Sequence, residues 1–279
     1  MNFRDQACEH LSQYKNDILG IKKDGIYNYR GRKIPKSHIL PPDDYRKNIL
    51  KPYRDAFFAS DQAQIKFHKY FHHLNSSQAL CINLFYPLIA EKCLDFFLHF
   101  LELPQELPTI TLFEKDSDLE VAARRTSFDF YARLSTSEQV FVEVKYTENG
   151  FGKAKNDSAH HDKFHQTYLP ILKDKEKFLV SECQDEKFFL DHYQMFRNLV
   201  HISATDTVVL LFPAANLVVA KEADYAKKHF LTQKGKERLR IVYLEELVSF
   251  LEVESSNRPL DSYYQEFRKK YLPNIITGL

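Results

Sequence analysis

Glycine is scarce in this chain, 7 residues among 279, and cysteine scarcer, at 4. So few glycines leave little room for flexible linkers, which argues against a string of loosely tethered domains. Cys8, Cys81, Cys93 and Cys183 lie far apart without a Cys-x-x-Cys pair. That spacing excludes a compact disulfide framework or a thiolate zinc site and reads as reduced, mostly buried thiols. No glycine-rich phosphate loop and no Gly-x-Ser-x-Gly elbow occurs, which argues against a P-loop NTPase and an α/β-hydrolase. Internal repeats and low-complexity tracts are absent as well. The most apolar window, 79–90, contains Asn83 and Pro87 and falls short of the ~20 residues a spanning helix needs. Residues 1–13 are charged and lack the apolar core of a signal peptide, so the expectation is a cytoplasmic protein without membrane contact.

What is present speaks for a folded core. Tyr (16) and Phe (23) are abundant, which excludes a disordered chain. The length suits one sizeable domain with an appended segment. A net charge of +1 hides an asymmetry: residues 1–75 carry 14 Lys/Arg against 8 Asp/Glu, and the remainder carries the acidic excess. A basic amino-terminal part facing a polyanion and a carboxylate-rich site in the larger part would produce this pattern, and so would an ordinary acidic surface. The expected division is therefore a basic, mainly helical segment at 1–75 and a larger domain at 76–279.

Composition and period give the elements. Helices are expected over 2–18, over 43–60 after Pro41-Pro42, and over 86–101 ahead of Pro104 and Pro108, with a loop or hairpin between the first two. From there the period becomes alternating, and 109–113, 121–134 and 139–146 read as three strands of an antiparallel meander. Short helices are expected over 153–187, a helix over 188–201, a buried strand over 206–212 and another strand near 239–243. The order α-β-β-β-α-β predicts an α/β domain with a mixed central sheet flanked by helices, preceded by a helical extension.

The chemistry concentrates in one hairpin. Along its second strand Phe141, Glu143 and Lys145 share one face, and Val140, Val142, Val144 and Tyr146 share the other. A turn centred near Thr136 places Asp129 directly opposite Glu143. Opposed Cβ atoms are ~5 Å apart, so two carboxylates there repel unless a cation lies between them. Mg²⁺ suits such a pair, with Mn²⁺ as its substitute and the Val144 carbonyl as a further oxygen ligand. Lys145 is placed to orient or deprotonate a water, or to neutralise charge developing on phosphorus. An outward Glu and Lys on a half-buried strand is also an ordinary surface pattern. Asp185-Glu186-Lys187 repeats the spacing in a polar helical stretch with no partner strand, and serves as a decoy.

These residues resemble the PD-(D/E)XK nuclease superfamily, the restriction-endonuclease-like fold, over roughly residues 76–215. Thr126-Ser127-Phe128-Asp129 looks like its second-strand acid and Glu143-Val144-Lys145 its acid-x-Lys, with Phe128 in place of the eponymous proline. The stretch from Glu143 through Asn149-Gly150-Phe151-Gly152 resembles a bacterial restriction-endonuclease-like subgroup, in which Gln194 and Arg197 also fit the pattern. The resemblance implies that Asp129 and Glu143 are metal ligands and Lys145 the catalytic lysine. It also implies Glu91, on the helix before the sheet, as a third ligand. Glu91, Asp95 and His99 equally recur at the spacing of a solvent stripe.

The segment 22–36 mixes six cations with two tyrosines, a composition suited to phosphate contacts and base stacking. Lys22, Lys23, Tyr27, Tyr29, Arg30, Arg32 and Lys33 are its candidate nucleic-acid contacts, and Lys153 beyond the catalytic strand is another. A passive, solvated basic loop is the competing reading. His161 and His165, or His68 and His72, have zinc-binding spacing but lack the Glu of His-Glu-x-x-His. The expected activity is Mg²⁺-dependent endonucleolytic cleavage, of double-stranded DNA before RNA, in restriction or defence. Cutting both strands would suit a homodimer. The competing class is a nucleic-acid-binding or interaction protein that keeps the fold without cleavage.

Overall fold

The structure is a computed structural model that describes residues 2–120, 125–256 and 258–272. In chain order the elements begin with α1 (Phe3–Asp17), β1 (Gly25–Tyr29), β2 (Arg32–Lys36), α2 (Lys51–Ala59), α3 (Ser77–Ala90) and α4 (Asp95–Phe100). The strands β3 (Ile110–Asp116), β4 (Ser127–Arg133) and β5 (Gln139–Val144) follow. Next come α5 (Ser158–Lys163), α6 (Leu169–Asp174), α7 (Glu186–Asp191), α8 (Tyr193–Leu199) and β6 (Thr207–Phe212). The chain then runs through α9 (Leu217–His229), α10 (Gln233–Lys236), β7 (Leu239–Tyr243), α11 (Leu244–Glu254) and α12 (Pro259–Tyr271). It is an α/β protein with a five-stranded mixed sheet, as the element order predicts.

Two compact units form: residues 1–107, 213–216 and 243–279 make one, 108–212 and 217–242 the other. The division does not follow the boundary expected at 75/76. α3 is apolar all round and buried from Gln78 to Leu88, so it needs cover on every side and gets it from helices on both flanks of the sequence. Pro87 sits inside α3 and brings no N–H for the Asn83 carbonyl one turn back. Tyr263 on α12 fills that gap, its hydroxyl donating to Asn83 O at 2.7 Å. The Asn83 side chain accepts from Leu50 N (2.7 Å), while its Nδ2 lies 2.9 Å from Asn48 O and 2.7 Å from the Tyr271 hydroxyl. Asn83→Ala would strip this buried junction of its partners and should cost about 2–4 kcal/mol in chemical denaturation. A loss below ~1 kcal/mol would show that water replaces it.

Three helical expectations are corrected within these units. The helix expected over 43–60 is split into a 3₁₀ turn (Pro42–Asn48) and α2, with Ile49 and Leu50 extended between them and Pro52 in the first turn of α2. The helix expected over 86–101 starts earlier, at Ser77 capped by the Ser76 hydroxyl, and ends at Ala90 where Lys92 takes φ 54. The helix expected over 188–201 breaks at His192.

In the second unit the strand order is β3-β4-β5-β6-β7. The first three form the antiparallel meander, and β5 pairs parallel with β6 after the helical crossover. Every residue of β6 is buried, as its unbroken apolar run requires. Of the strand expected over 121–134, residues 121–124 lie outside the described residues.

Candidate active site

The β4–β5 register pairs Phe130 with Val142 and Arg133 with Gln139. One step further, Asp129 stands across from Glu143, as the turn at Thr136 implies. Regular pairing stops there, because Asp129 Oδ2 takes the Val144 N–H at 2.7 Å. The strands thus part where the two acids meet, and on the far side β5 continues its ladder with β6 through Lys145 N to Leu211 O.

Asp129 is half-buried, whereas Glu143 and Lys145 are nearly sealed, at 4% and 7% exposure. Lys145 Nζ lies 2.8 Å from Glu143 Oε1, and Gln194 Nε2 on α8 donates to the same oxygen at 3.1 Å. Burial pushes the Asp129 carboxyl well above the usual carboxylate range, Glu143 and Glu114 add to the push, and the Val144 N–H and Lys145 oppose it. Burial alone would lower the Lys145 ammonium, but Glu143, Glu148 and Asp129 hold it above its ordinary value. In this arrangement the Lys145 ammonium is ion-paired to Glu143.

Glu114 is an acid the sequence reading missed. Phe113 pairs with Phe130 and Lys115 with Phe128, so Glu114 falls across from Asp129 on the other side of β4. Its φ of 55 marks a local irregularity in β3. Asp129 thus has an acidic neighbour on each flanking strand.

Gln194 and Arg197 are one helical turn apart on α8 and both reach the hairpin strands. Arg197 Nε donates to the Thr126 hydroxyl at 2.9 Å, just ahead of β4. Beside it, buried Glu120 accepts from Thr126 N–H (3.0 Å) and from Lys163 Nζ (2.9 Å). Burial would raise the Glu120 carboxyl, yet the Thr126 hydroxyl, Lys163 and Arg197 hold it below its ordinary value. No local pattern announced this anchor, since its partners come from three separate segments.

The remaining candidates lie on other elements. Glu91 ends α3 in the first unit, where its carboxylate accepts from the Tyr53 hydroxyl at 2.8 Å. It does not share a helix with Asp95 and His99, because the chain breaks at 91–94, so the continuous solvent stripe does not form. Lys153 is exposed and lies 3.4 Å from Asp191. Lys22, Lys23, Tyr29, Arg30, Arg32 and Lys33 are exposed on or beside the β1–β2 hairpin, with Tyr27 half-buried. Arg30 (φ 49) and Gly31 (φ 80) make its tight turn, which twists with the strands. The decoy is structural: Asp185 caps α7 by accepting from Phe188 N (2.8 Å), and Glu186 receives His161 (2.6 Å) and His165 (3.3 Å).

The residues 8–272 match the family described as restriction endonuclease associating with ARP. The chain belongs to this restriction-endonuclease family. No curated protein and no solved structure matches it. The family match spans both compact units, so the amino-terminal helices and the sheet belong to one family architecture. No described helix in this restriction-endonuclease relative is long and apolar enough to cross a membrane.

The acids fit Mg²⁺ in donor chemistry. A carboxylate pair crowded by like charge is a hard, oxygen-only set that a cation relieves. Among the described residues no three His, Cys, Asp or Glu side chains are grouped to hold a metal by themselves. Backbone carbonyl and water would therefore complete the shell, as Mg²⁺ sites commonly do.

Proposed function

We propose that this family member is a Mg²⁺-dependent endonuclease of the PD-(D/E)XK kind that hydrolyses phosphodiester bonds of double-stranded DNA in a restriction or defence role. The observation that carries the reading is geometric: the β4–β5 register sets Asp129 opposite Glu143 where the strands part, with Lys145 Nζ 2.8 Å from Glu143 Oε1. Asp129, Glu143 and the Val144 carbonyl would hold Mg²⁺, which supplies positive charge against the transition state and activates water. Lys145, fixed by Glu143, presents an ammonium beside the acids and offsets charge developing on the phosphate oxygens. Gln194 holds Glu143 in place from α8. Glu91 remains a proposed ligand by resemblance alone. A homodimer would supply the second cut of a duplex, and association with ARP, from which the family takes its description, would supply its context.

Supercoiled plasmid and a structured RNA, each incubated with Mg²⁺, Mn²⁺ or EDTA, test this. Nicking and linearisation are expected with either metal and neither in EDTA. Cleavage that survives EDTA or Asp129→Ala ends the mechanism, and tight binding without cleavage favours a non-catalytic nucleic-acid-binding protein.

The β1–β2 hairpin is the proposed duplex contact, its Arg30 guanidinium 5.3 Å from the Tyr29 ring and its cations turned to solvent. Arg30→Glu with Arg32→Glu should raise the DNA Kd roughly ten-fold near 0.1 M salt and reduce the salt slope by ~2. Titrations at several salt concentrations measure both, and an unchanged slope returns the hairpin to a passive loop.

A further inference from the structure

A cleft of about 320 Å³ opens beside the candidate site, entirely within the second unit. Phe151, His192, Tyr225 and Phe230 supply its rings, Lys153 and Lys221 its cations, and Asp191 and Glu222 its carboxylates, Asp191 lying 3.4 Å from Lys153. The rings already cluster: His192 lies 4.8 Å from Phe230, and Tyr225 lies 5.6 Å from Phe230. Tyr225 is nevertheless 45% exposed, a large aromatic left facing water at the mouth of a pocket.

The wall of the cleft packs against Lys145 and Gln194, the two partners of Glu143. The Phe151 ring is 5.6 Å from Lys145 Nζ. Gly152 O accepts from Gln194 N at 3.4 Å, and the Gln194 side chain holds Glu143. This wall is a built turn. Gly150 (φ 103) and Gly152 (φ 82) take backbone conformations that side chains disfavour. The Glu222 carboxylate accepts the Phe151 N–H at 2.7 Å, and a Cβ on Gly150 would meet that carboxylate at 2.4 Å.

We propose that this cleft receives an unpaired nucleobase of the substrate strand, stacked against Tyr225 with its backbone phosphates toward Lys153 and Lys221. The inference rests on the nucleic-acid reading of the site. The volume lies near the lower end of the ~300–1,000 Å³ typical of small-ligand pockets, which suits one planar ring and its sugar. Aromatic faces beside lysines bind single strands by stacking and charge, with little regard for base identity. Lys145 Nζ, 2.8 Å from Glu143 Oε1 and 5.6 Å from the Phe151 ring, links the candidate site to the cleft. Duplex substrate would deliver an unpaired base by extrusion, and a loop or single-stranded end would deliver it directly.

The test uses a single-stranded oligonucleotide carrying one 5-iododeoxyuridine, bound in EDTA so that nothing is cut. Irradiation should attach it to a peptide containing Tyr225 or Phe230. Tyr225→Ala should weaken binding of the same oligonucleotide at least five-fold, in line with the loss of one stacked base, while Tyr225→Phe restores it. Attachment confined to the β1–β2 hairpin, or wild-type affinity in Tyr225→Ala, overturns the proposal. The plasmid assay in Mg²⁺ runs in parallel: attachment at Tyr225 without cleavage keeps the cleft and sinks the nuclease, and cleavage with attachment elsewhere does the reverse. Failure to bind any nucleic acid sinks both.

Discussion

Asp129→Asn should abolish cleavage while raising the melting temperature measured in EDTA. The carboxyl is pushed above its ordinary range by burial and by Glu143 and Glu114, so its charge is a liability to the folded chain without a cation. Asparagine keeps an oxygen to accept the Val144 N–H and removes the like charge. Relief of one such contact should add about 1 kcal/mol, or roughly 2–4 °C for a chain of this size. On the proposed mechanism activity should fall by 10³-fold or more, because the removed charge is the one that would hold the metal. Glu143→Gln should be equally inactive and move the other way in stability. It leaves the Lys145 ammonium, 7% exposed, without its 2.8 Å partner, and breaking a buried pair typically costs about 3–5 kcal/mol. Plasmid nicking in Mg²⁺ and thermal melting in EDTA measure the pair of effects. An Asp129→Asn protein that still nicks removes Asp129 from the chemistry, and one that melts lower makes its carboxylate a structural bond instead.

The opposing behaviour of these two acids is what the sequence conveyed least. Alternation along 139–146 and the position of the turn sufficed to put Asp129 across from Glu143, because an antiparallel register follows from the turn alone. It also put Glu143 and Lys145 on one face. Glu114 stayed hidden because β3 was expected to stop at 113, one residue before the acid, and a positive φ in mid-strand has no signature in a glutamate. Gln194 and Arg197 were found through resemblance. Their partners, Glu143 and Thr126, depend on α8 lying against the hairpin strands, a tertiary fact that local pattern does not carry.

The fold was legible where elements are amphipathic or bounded by strong punctuation. The strand at 239–243 and the helix start near residue 3 stand where period and composition put them. The long apolar stretch misled because a helix buried on all sides has no stripe by which to fix its ends, and its cap, the Ser76 hydroxyl, stands well ahead of the start expected at 86. For the same reason the expected division at 75/76 fell inside what is one packed unit: α3 and α12 are far apart in the chain, and burial and the Tyr263 and Tyr264 hydroxyls join them.

Acid should destabilise this protein well before its carboxylates titrate. Burial lowers His201 from 6.5 to about 4 and His73 from 6.5 to about 3, so both are held neutral in the folded state. His201 packs between Phe128 and Phe141, with Nε2 2.8 Å from the Ser117 hydroxyl, and has no room to take up a hydrated charge. Below pH 6.5 the unfolded chain binds protons that the folded chain refuses. Stability therefore falls as pH drops from about 6.5, and levels off for His201 near pH 4 and for His73 near pH 3. At about 1.4 kcal/mol per pH unit for each group, pH 5 costs about 2 kcal/mol per histidine and about 4 for the two. That corresponds to a melting temperature on the order of 10 °C lower at pH 5 than at pH 7.5. Asp129 works in the opposite sense, since a carboxyl raised in the folded state favours folding as pH falls. His73→Gln with His201→Gln removes both imidazoles, and its melting temperature should change less over the same interval, the remainder coming from His38, which burial lowers to about 4. If the double variant shows the full decline, the two histidines already carry their protons in the folded protein and the acid limb has another source.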